Sequence, residues 1–205
     1  MYLLITESPA KAKKIQGFLD SNYKVLSSCG HIRDLEKKKT KVYGDPKSFG
    51  IDVDNNFKPK YVIMSDKRDI VKNLKSGSVD REIIFAADDD REGEAIAWHT
   101  ANVLKASVKK PNRIVFREIS KKAIIEALKK PQHINMNEVN SQQARRIIDR
   151  LIGFKLSPCL WKNITTTEKG LSAGRVQSAL LNLLEKRDDY IRNFKAEDVY
   201  TIEGT

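Results

Sequence analysis

The sequence predicts an α/β fold, a mainly parallel sheet flanked by helices, followed by a smaller all-helical region. Three observations carry that prediction. Short apolar runs alternate with amphipathic stretches as far as Lys130-Pro131, two long helical patterns with no strand between them follow, and the change of pattern coincides with the proline. A chain of 205 residues holds one large domain or two small ones and buries a core without staples.

Tyr2 to Thr6 is the apolar run of a buried parallel strand. Glu7 follows, and Ser8-Pro9 starts a helix because proline is preorganised for the first helical position. That helix continues to Leu19 with Ile15, Phe18 and Leu19 on one face. Tyr23 to Ser28 forms a second strand, and Gly30 opens a loop through Lys37, Lys38, Lys39 and Lys41 to Pro46 and Gly50. Tyr61 to Met64 is a third strand and Asp69 to Leu74 a helix. Glu82 to Ala87 is a fourth strand, leading through an acidic turn into a helix that reaches Trp98 and Leu104. Asn112 to Phe116 is a fifth, and Ser120 caps a helix carrying Ile124, Ile125 and Leu128. Helices over Asn137 to Leu156 and Ser172 to about Phe194 complete the pattern, the second with Val176, Leu180, Leu183 and Leu184 at helical spacing. The expected divisions are 1–130, 131–198 and 199–205. Val199 to Ile202 reads as the first strand of a further domain that is cut short.

A hydrophobic content of 40% excludes wholesale disorder, and a mean hydropathy of −0.50 excludes an integral membrane protein. No stretch approaches the roughly 20 apolar residues of a bilayer span, and Glu7 comes too early for a signal peptide. Cys29 and Cys159 form neither a disulfide framework nor a zinc motif. An intracellular, cytoplasmic location is therefore expected. Lys plus Arg number 38 against 27 Asp plus Glu, a net charge of +11, which favours a polyanionic partner.

The segment with the most chemistry is Phe85-Ala-Ala-Asp88-Asp89-Asp90-Arg91-Glu92-Gly93-Glu94. Acids at the carboxyl end of a parallel strand lie where such sheets bind ligands. Crowded carboxylates raise one another's pKa unless a cation is present, and hard oxygen donors suit Mg²⁺. The helix macrodipole accounts for one or two acids in a first helical turn. It does not account for Asp88, still at the strand end, or for Glu7 at the end of the first strand. Two strand ends that both carry acids point to one shared metal site made of Glu7, Asp88, Asp90 and Glu92.

These residues carry a resemblance. Glu7-Ser-Pro-Ala-Lys11 and Asp88-Asp-Asp90-Arg-Glu92-Gly-Glu94-Ala-Ile-Ala-Trp-His99 resemble the two halves of the toprim domain of type IA DNA topoisomerases, bacterial topoisomerase I above all. Ser27-Ser-Cys-Gly30-His31-Ile-Arg33-Asp34-Leu35, Val139-Asn-Ser-Gln-Gln-Ala-Arg145-Arg146-Ile-Ile-Asp149-Arg150 and Gly170-Leu-Ser172-Ala173-Gly174-Arg175-Val176-Gln177-Ser178 continue it in family order. The resemblance implies a toprim fold and an enzyme that cleaves one DNA strand through a phosphotyrosine, passes another strand and reseals. Such an enzyme relaxes negative supercoils with Mg²⁺ and without ATP. It further implies Glu7, Lys11, Asp88, Asp90 and Glu92 as catalytic, with Asp88, Asp90 and Glu92 as metal ligands and Glu7 beside the phosphate, either as a fourth ligand or in proton transfer to the departing 3′-oxygen. His31 and Arg33 fall in the family's DNA-contacting loop, and single-stranded DNA is the implied partner of a monomeric protein.

Local chemistry beyond Pro131 agrees. Arg145, Arg146, Arg150, Lys155 and Lys162 are interleaved with Phe154 and Trp161, as basic residues that track phosphates and aromatic faces that stack on bases would be. Arg145 and Asp149 share a helical face and could pair, and Asp149 is counted with Arg145 and Arg146 among the DNA-binding residues. Ser172, Ala173, Gly174, Arg175, Val176 and Gln177 open a helix with small residues that admit a phosphate closely. Departures from the family pattern are Asp89, where relatives have an apolar residue, a longer stretch from Asn163 to Lys169, and Phe154 in place of a tyrosine. None of Tyr2, Tyr23, Tyr43, Tyr61, Tyr190 and Tyr200 has the context of the family's nucleophile. The expectation is the N-terminal part of a longer enzyme, inactive alone. A non-catalytic single-stranded DNA-binding module and another toprim enzyme (a primase or nuclease) remain the alternatives.

Overall fold

Every second side chain of a strand faces the same side of its sheet, and in Tyr2–Thr6 (β1) both sides are apolar and covered. Leu3, Leu4 and Ile5 are each no more than 3% exposed. Such a strand is central, and the computed structural model, which describes residues 1–37, 49–164 and 170–204, places it so. Tyr23–Ser27 (β2) and Glu82–Phe85 (β7) flank β1, both parallel to it, in the order β2-β1-β7. One face packs Leu3, Ile5 and Phe85 against Leu74 of Arg68–Gly77 (α2), Ala97 and Ala101 of Arg91–Leu104 (α3), and Ile134 and Val139. The other packs Leu4, Val25 and Ala86 against Ala12 and Ile15 of Pro9–Gln16 (α1) and Ile124 of Lys121–Lys129 (α4). Proline at the start of α1, Ser120 accepting from the Ala123 N–H at 3.2 Å, and Asp90 accepting from the Gly93 N–H at 2.7 Å fix the helix starts that the sequence predicts.

The structure revises the expected strands. Tyr61–Ile63 (β6) lies outside the main sheet and pairs antiparallel with Arg33–Leu35 (β3), inside the expected loop. A run of three apolar residues does not reveal its partner. Ile51–Asp52 (β4) and Lys58–Pro59 (β5) form a second small antiparallel pair. Asn112 to Phe116 is not a strand. Arg113 makes single bridges to Phe85 and to Gln132, Pro111 has no N–H to extend the ladder, and Arg113 is fully buried where an alternating strand would carry an apolar residue. Lys38, Lys39, Lys41, Pro46 and residues 165–169 of the expected longer stretch from Asn163 to Lys169 lie outside the described residues.

Met136–Asn163 (α5) and Arg175–Arg192 (α6) are the two long helices, and Val199 to Ile202 has no regular structure. The chain divides into two units, Met1–Ile148 and Asp149–Thr205. Within the second, Val176, Leu180, Leu183 and Leu184 of α6 are each more than half exposed.

The burial of Leu4 predicts that Leu4→Ala lowers unfolding free energy by about 3 kcal/mol in denaturant titration. A loss under about 1 kcal/mol would contradict its place in the core.

Candidate active site

Because β1 and β7 pair in parallel with Ile5 opposite Phe85, their carboxyl ends stop side by side. Glu7 and Asp88 follow those ends, and Lys11 on the first turn of α1 closes the gap. Its Nζ donates to Glu7 Oε1 at 2.5 Å and also to Asp88 Oδ1. Burial raises the Glu7 pKa, and its hydrogen bond with Asp88 raises it further. Asp88 is lowered, first by the same hydrogen bond and then by Lys11 against the opposing effect of its own burial. Of the two carboxyls, Glu7 is therefore the weaker acid and Asp88 the stronger. Burial pulls Lys11 down, but its two carboxylate partners outweigh that and leave its pKa raised.

The rest of the turn is held from beneath. Asp90 caps α3 through the Gly93 N–H. A Cβ on Gly93 would lie 2.2 Å from the Asp88 carbonyl oxygen, so only glycine lets the helix start this close to the strand end. Glu94 is buried and accepts from Arg113 Nε at 2.9 Å and from the Asn135 N–H at 3.0 Å. Arg113 also donates from Nη2 to the Asp88 carbonyl at 2.6 Å and from Nη1 to the Ile114 carbonyl. The sequence gives Arg113 no role; its signal is a charged residue beside the apolar Ile114, Val115 and Phe116. Asp89, the departure, meets exposed Arg117 at 3.4 Å.

Glu92 faces another way. Its Oε2 lies 3.0 Å from His31 Nε2 and accepts from Gln142 of α5 at 3.1 Å. His31 stands after a left-handed turn, Cys29 at φ 52° and Gly30 at φ 81°, whose Gly30 N–H donates to the Glu7 carbonyl at 2.8 Å. A non-glycine residue there stores about 1 kcal/mol. Arg33 does not project freely: its Nε donates to His99 Nδ1 at 3.0 Å, and its guanidinium lies 5.1 Å from the Trp98 ring and 5.5 Å from that of Tyr61. Arg146 grips Asp34 Oδ1 from Nε and Nη2 at 3.0 and 2.8 Å. Burial pulls His99 down to about 3, with Arg33 and His31 adding to the effect, and pushes Tyr61 up to about 12.

Among the described residues no three His, Cys, Asp or Glu side chains converge as a ready metal cage. The four expected ligands divide: Glu7 and Asp88 share Lys11, Asp90 caps α3, and Glu92 meets His31. The donor set still fits Mg²⁺, which takes one or two carboxylates and keeps water or phosphate on its other positions. The side chains of Asp88 and Glu92 are each 47% exposed, leaving hard oxygens open to a hydrated ion.

In the second unit the ring of Phe154 lies 5.4 Å from the Arg150 guanidinium, and Trp161 Nε1 donates to the Leu171 carbonyl at 2.6 Å. Arg175 Nε donates to Asp149 at 2.6 Å, so Arg175 supplies a partner for Asp149 that helical spacing does not reveal. Ser172 Oγ donates to Gln177 Oε1 at 3.0 Å and the Ala173 N–H to Ser157 Oγ at 3.1 Å, ordering the approach to α6 ahead of Gly174 and Val176.

Comparison with known proteins places this geometry. The model of the Toprim domain matches residues 2–119, which makes this a toprim protein by sequence as well as by the layout of its sheet and acids. A DNA topoisomerase model matches residues 133–205. The structure of full-length topoisomerase I from Thermotoga maritima is 44% identical over 94% of this chain, with a TM-score of 0.79. The chain spans 31% of that protein. The chain belongs to the type IA DNA topoisomerase family.

The lowered His99 pKa makes a pH prediction. A histidine depressed from 6.5 to about 3 contributes stability that is present above 6.5 and is lost as pH falls toward 3. Between pH 7 and pH 5 the wild-type chain should lose about 2 kcal/mol more unfolding free energy than His99→Asn. Equal losses in the two proteins would show that His99 is not buried neutral.

Proposed function

We propose that this chain supplies the phosphate-holding part of a type IA topoisomerase reaction, in which one DNA strand is cut, another passed and the first resealed, relaxing negative supercoils with Mg²⁺ and without ATP. The observation that carries this reading is the meeting of Glu7, Lys11 and Asp88 at the ends of two adjacent parallel strands. A phosphodiester stays anionic throughout transfer, so positioning and charge dominate its catalysis.

In this reading a tyrosine hydroxyl attacks phosphorus and releases its proton to water, a P–O bond to tyrosine forms, and the bond to the 3′-oxygen breaks; on resealing the tyrosine oxygen leaves and recovers a proton from water. Glu7, whose pKa is raised by burial and by Asp88, gives a proton to the departing 3′-oxygen and takes it back on resealing. Lys11 offsets phosphate charge from the N-terminal turn of α1. Mg²⁺ bound by Asp88 and Asp90, with Glu92 in support, would supply further positive charge to the scissile phosphate.

The tyrosine is proposed to come from outside these residues. Tyr2 and Tyr23 stack on each other at 5.1 Å at the amino ends of β1 and β2, opposite to Glu7, and Tyr61 is largely buried. Single-stranded DNA is the proposed partner of a monomeric, cytoplasmic protein. Support comes from Arg145, Arg146, Arg150 and Phe154 along α5, from Trp161, and from Ser172, Ala173, Gly174, Arg175, Val176 and Gln177 at the start of α6. Within the first unit His31, beside Glu92, is a further proposed DNA contact.

In an enzyme that contains this chain and relaxes DNA, Asp88→Ala with Asp90→Ala should abolish Mg²⁺-supported relaxation while DNA binding persists; unchanged relaxation would overturn the metal assignment. Arg145→Ala or Arg175→Ala should weaken single-strand binding and lower its salt slope by about one phosphate contact. An unaltered slope would mean that these arginines face elsewhere.

A further inference from the structure

His99 has no part in the reaction just described, yet Arg33 is bonded to it. His99 is 2% exposed, with the Tyr61 ring at 4.5 Å and the Trp98 ring at 4.8 Å. Accepting at Nδ1 from Arg33 requires an imidazole whose Nδ1 is unprotonated and whose proton sits on Nε2. The guanidinium it holds is planar and lies over two rings, so fixing Nε fixes the whole group. Arg33 Nη2 and Tyr61 Oη are buried with no hydrogen-bond partner among the described residues. A buried N–H without an acceptor is costly, and a fold keeps one where the geometry around it matters more than the stability lost.

What that geometry holds is His31. Gly30 is anchored on one side by its N–H to the Glu7 carbonyl, and Arg33 on the other by His99. Ile32 between them is 1% exposed and bonded through its carbonyl to the Met64 N–H. His31 is thus suspended between two anchors, with its ring 5.8 Å from that of His99 and its Nε2 at Glu92.

We infer that His99 and Arg33 are positioning residues that act through His31, with the Trp98 and Tyr61 rings locking the Arg33 guanidinium so that His31 is held beside Glu92. The inference rests on the reading of His31 as a contact to single-stranded DNA. It assigns the Arg33 charge to the cage, with no phosphate contact of its own. Lys could not replace Arg33, because an ammonium has neither the planar face nor the fixed Nε–H.

The test uses the whole chain with oligothymidylate as probe, measuring affinity across a range of salt for His99→Leu, His99→Asn, Arg33→Ala, His31→Ala and the His99→Leu/His31→Ala double variant. Asparagine can return an acceptor to Arg33; leucine cannot. His99→Leu, Arg33→Ala and His31→Ala should each weaken binding about five-fold, with Arg33→Ala keeping the wild-type salt slope. The double variant should bind no worse than His31→Ala, and His99→Asn should stay within about two-fold of wild type. Additive losses in the double variant, a slope lowered by about one in Arg33→Ala, or no rescue by asparagine would overturn the inference.

The ring resonances of His31 in a nuclear magnetic resonance spectrum separate this failure from that of the DNA reading. If wild type does not bind the oligonucleotide, the DNA reading fails alone provided that His31 shifts in His99→Leu and returns in His99→Asn. A His31 signal that ignores both changes overturns the positioning. Should His99→Leu not fold, Arg33→Ala in the same spectrum decides the point.

Discussion

The site depends on one constraint, the parallel pairing of β1 with β7. Parallel neighbours end at the same edge, so acids placed just beyond each strand meet although they are far apart in sequence. The Ala86 N–H on the Ile5 carbonyl carries the pairing to the last residues before the acids. Lys11, one helical turn after Glu7, then spans both carboxylates. An antiparallel partner would put the second acid at the other end of the sheet.

Around that edge the fold keeps groups that do not favour stability. Arg113 and Glu94 are a buried ion pair, an arrangement that seldom stabilises more than packed apolar side chains would. Cys29 has a left-handed backbone, and Gly93 sits within a helix where alanine would be the better helix former. Each fixes a piece of the turn: Arg113 the Asp88 carbonyl, Cys29 and Gly30 the approach to His31, Gly93 the contact of helix with strand. Local rules broken together at one place are what a functional site produces.

Much of this was legible in the sequence. The Tyr2–Thr6 run, Ser8-Pro9, the acids after Phe85 and the Ser120 cap each declare themselves by residue type and spacing, and the sheet edge brings Glu7 to Asp88 as those signals require. Other features were not legible, because they depend on partners distant in the chain. Arg33 reads as part of a DNA-contacting loop, and nothing in its spacing shows that His99, Trp98 and Tyr61 pack around it. Arg113 hides within a run that looks like a strand. The expectation that four acids converge assumes that all point inward, whereas Asp90 is bound to its own helix and Glu92 to His31 and Gln142. On α6, helical spacing of Val176, Leu180, Leu183 and Leu184 foretells the helix and says nothing of what covers it.

The most direct test of the central claim is paramagnetic broadening of the backbone amides by Mn²⁺, displaceable by Mg²⁺. The account predicts that broadening is confined to the two strand ends, around Glu7 to Lys11 and Asp88 to Gly93, and that excess Mg²⁺ reverses it. Broadening at only one of the two ends, or spread evenly over the acidic surface, would contradict a shared cation site.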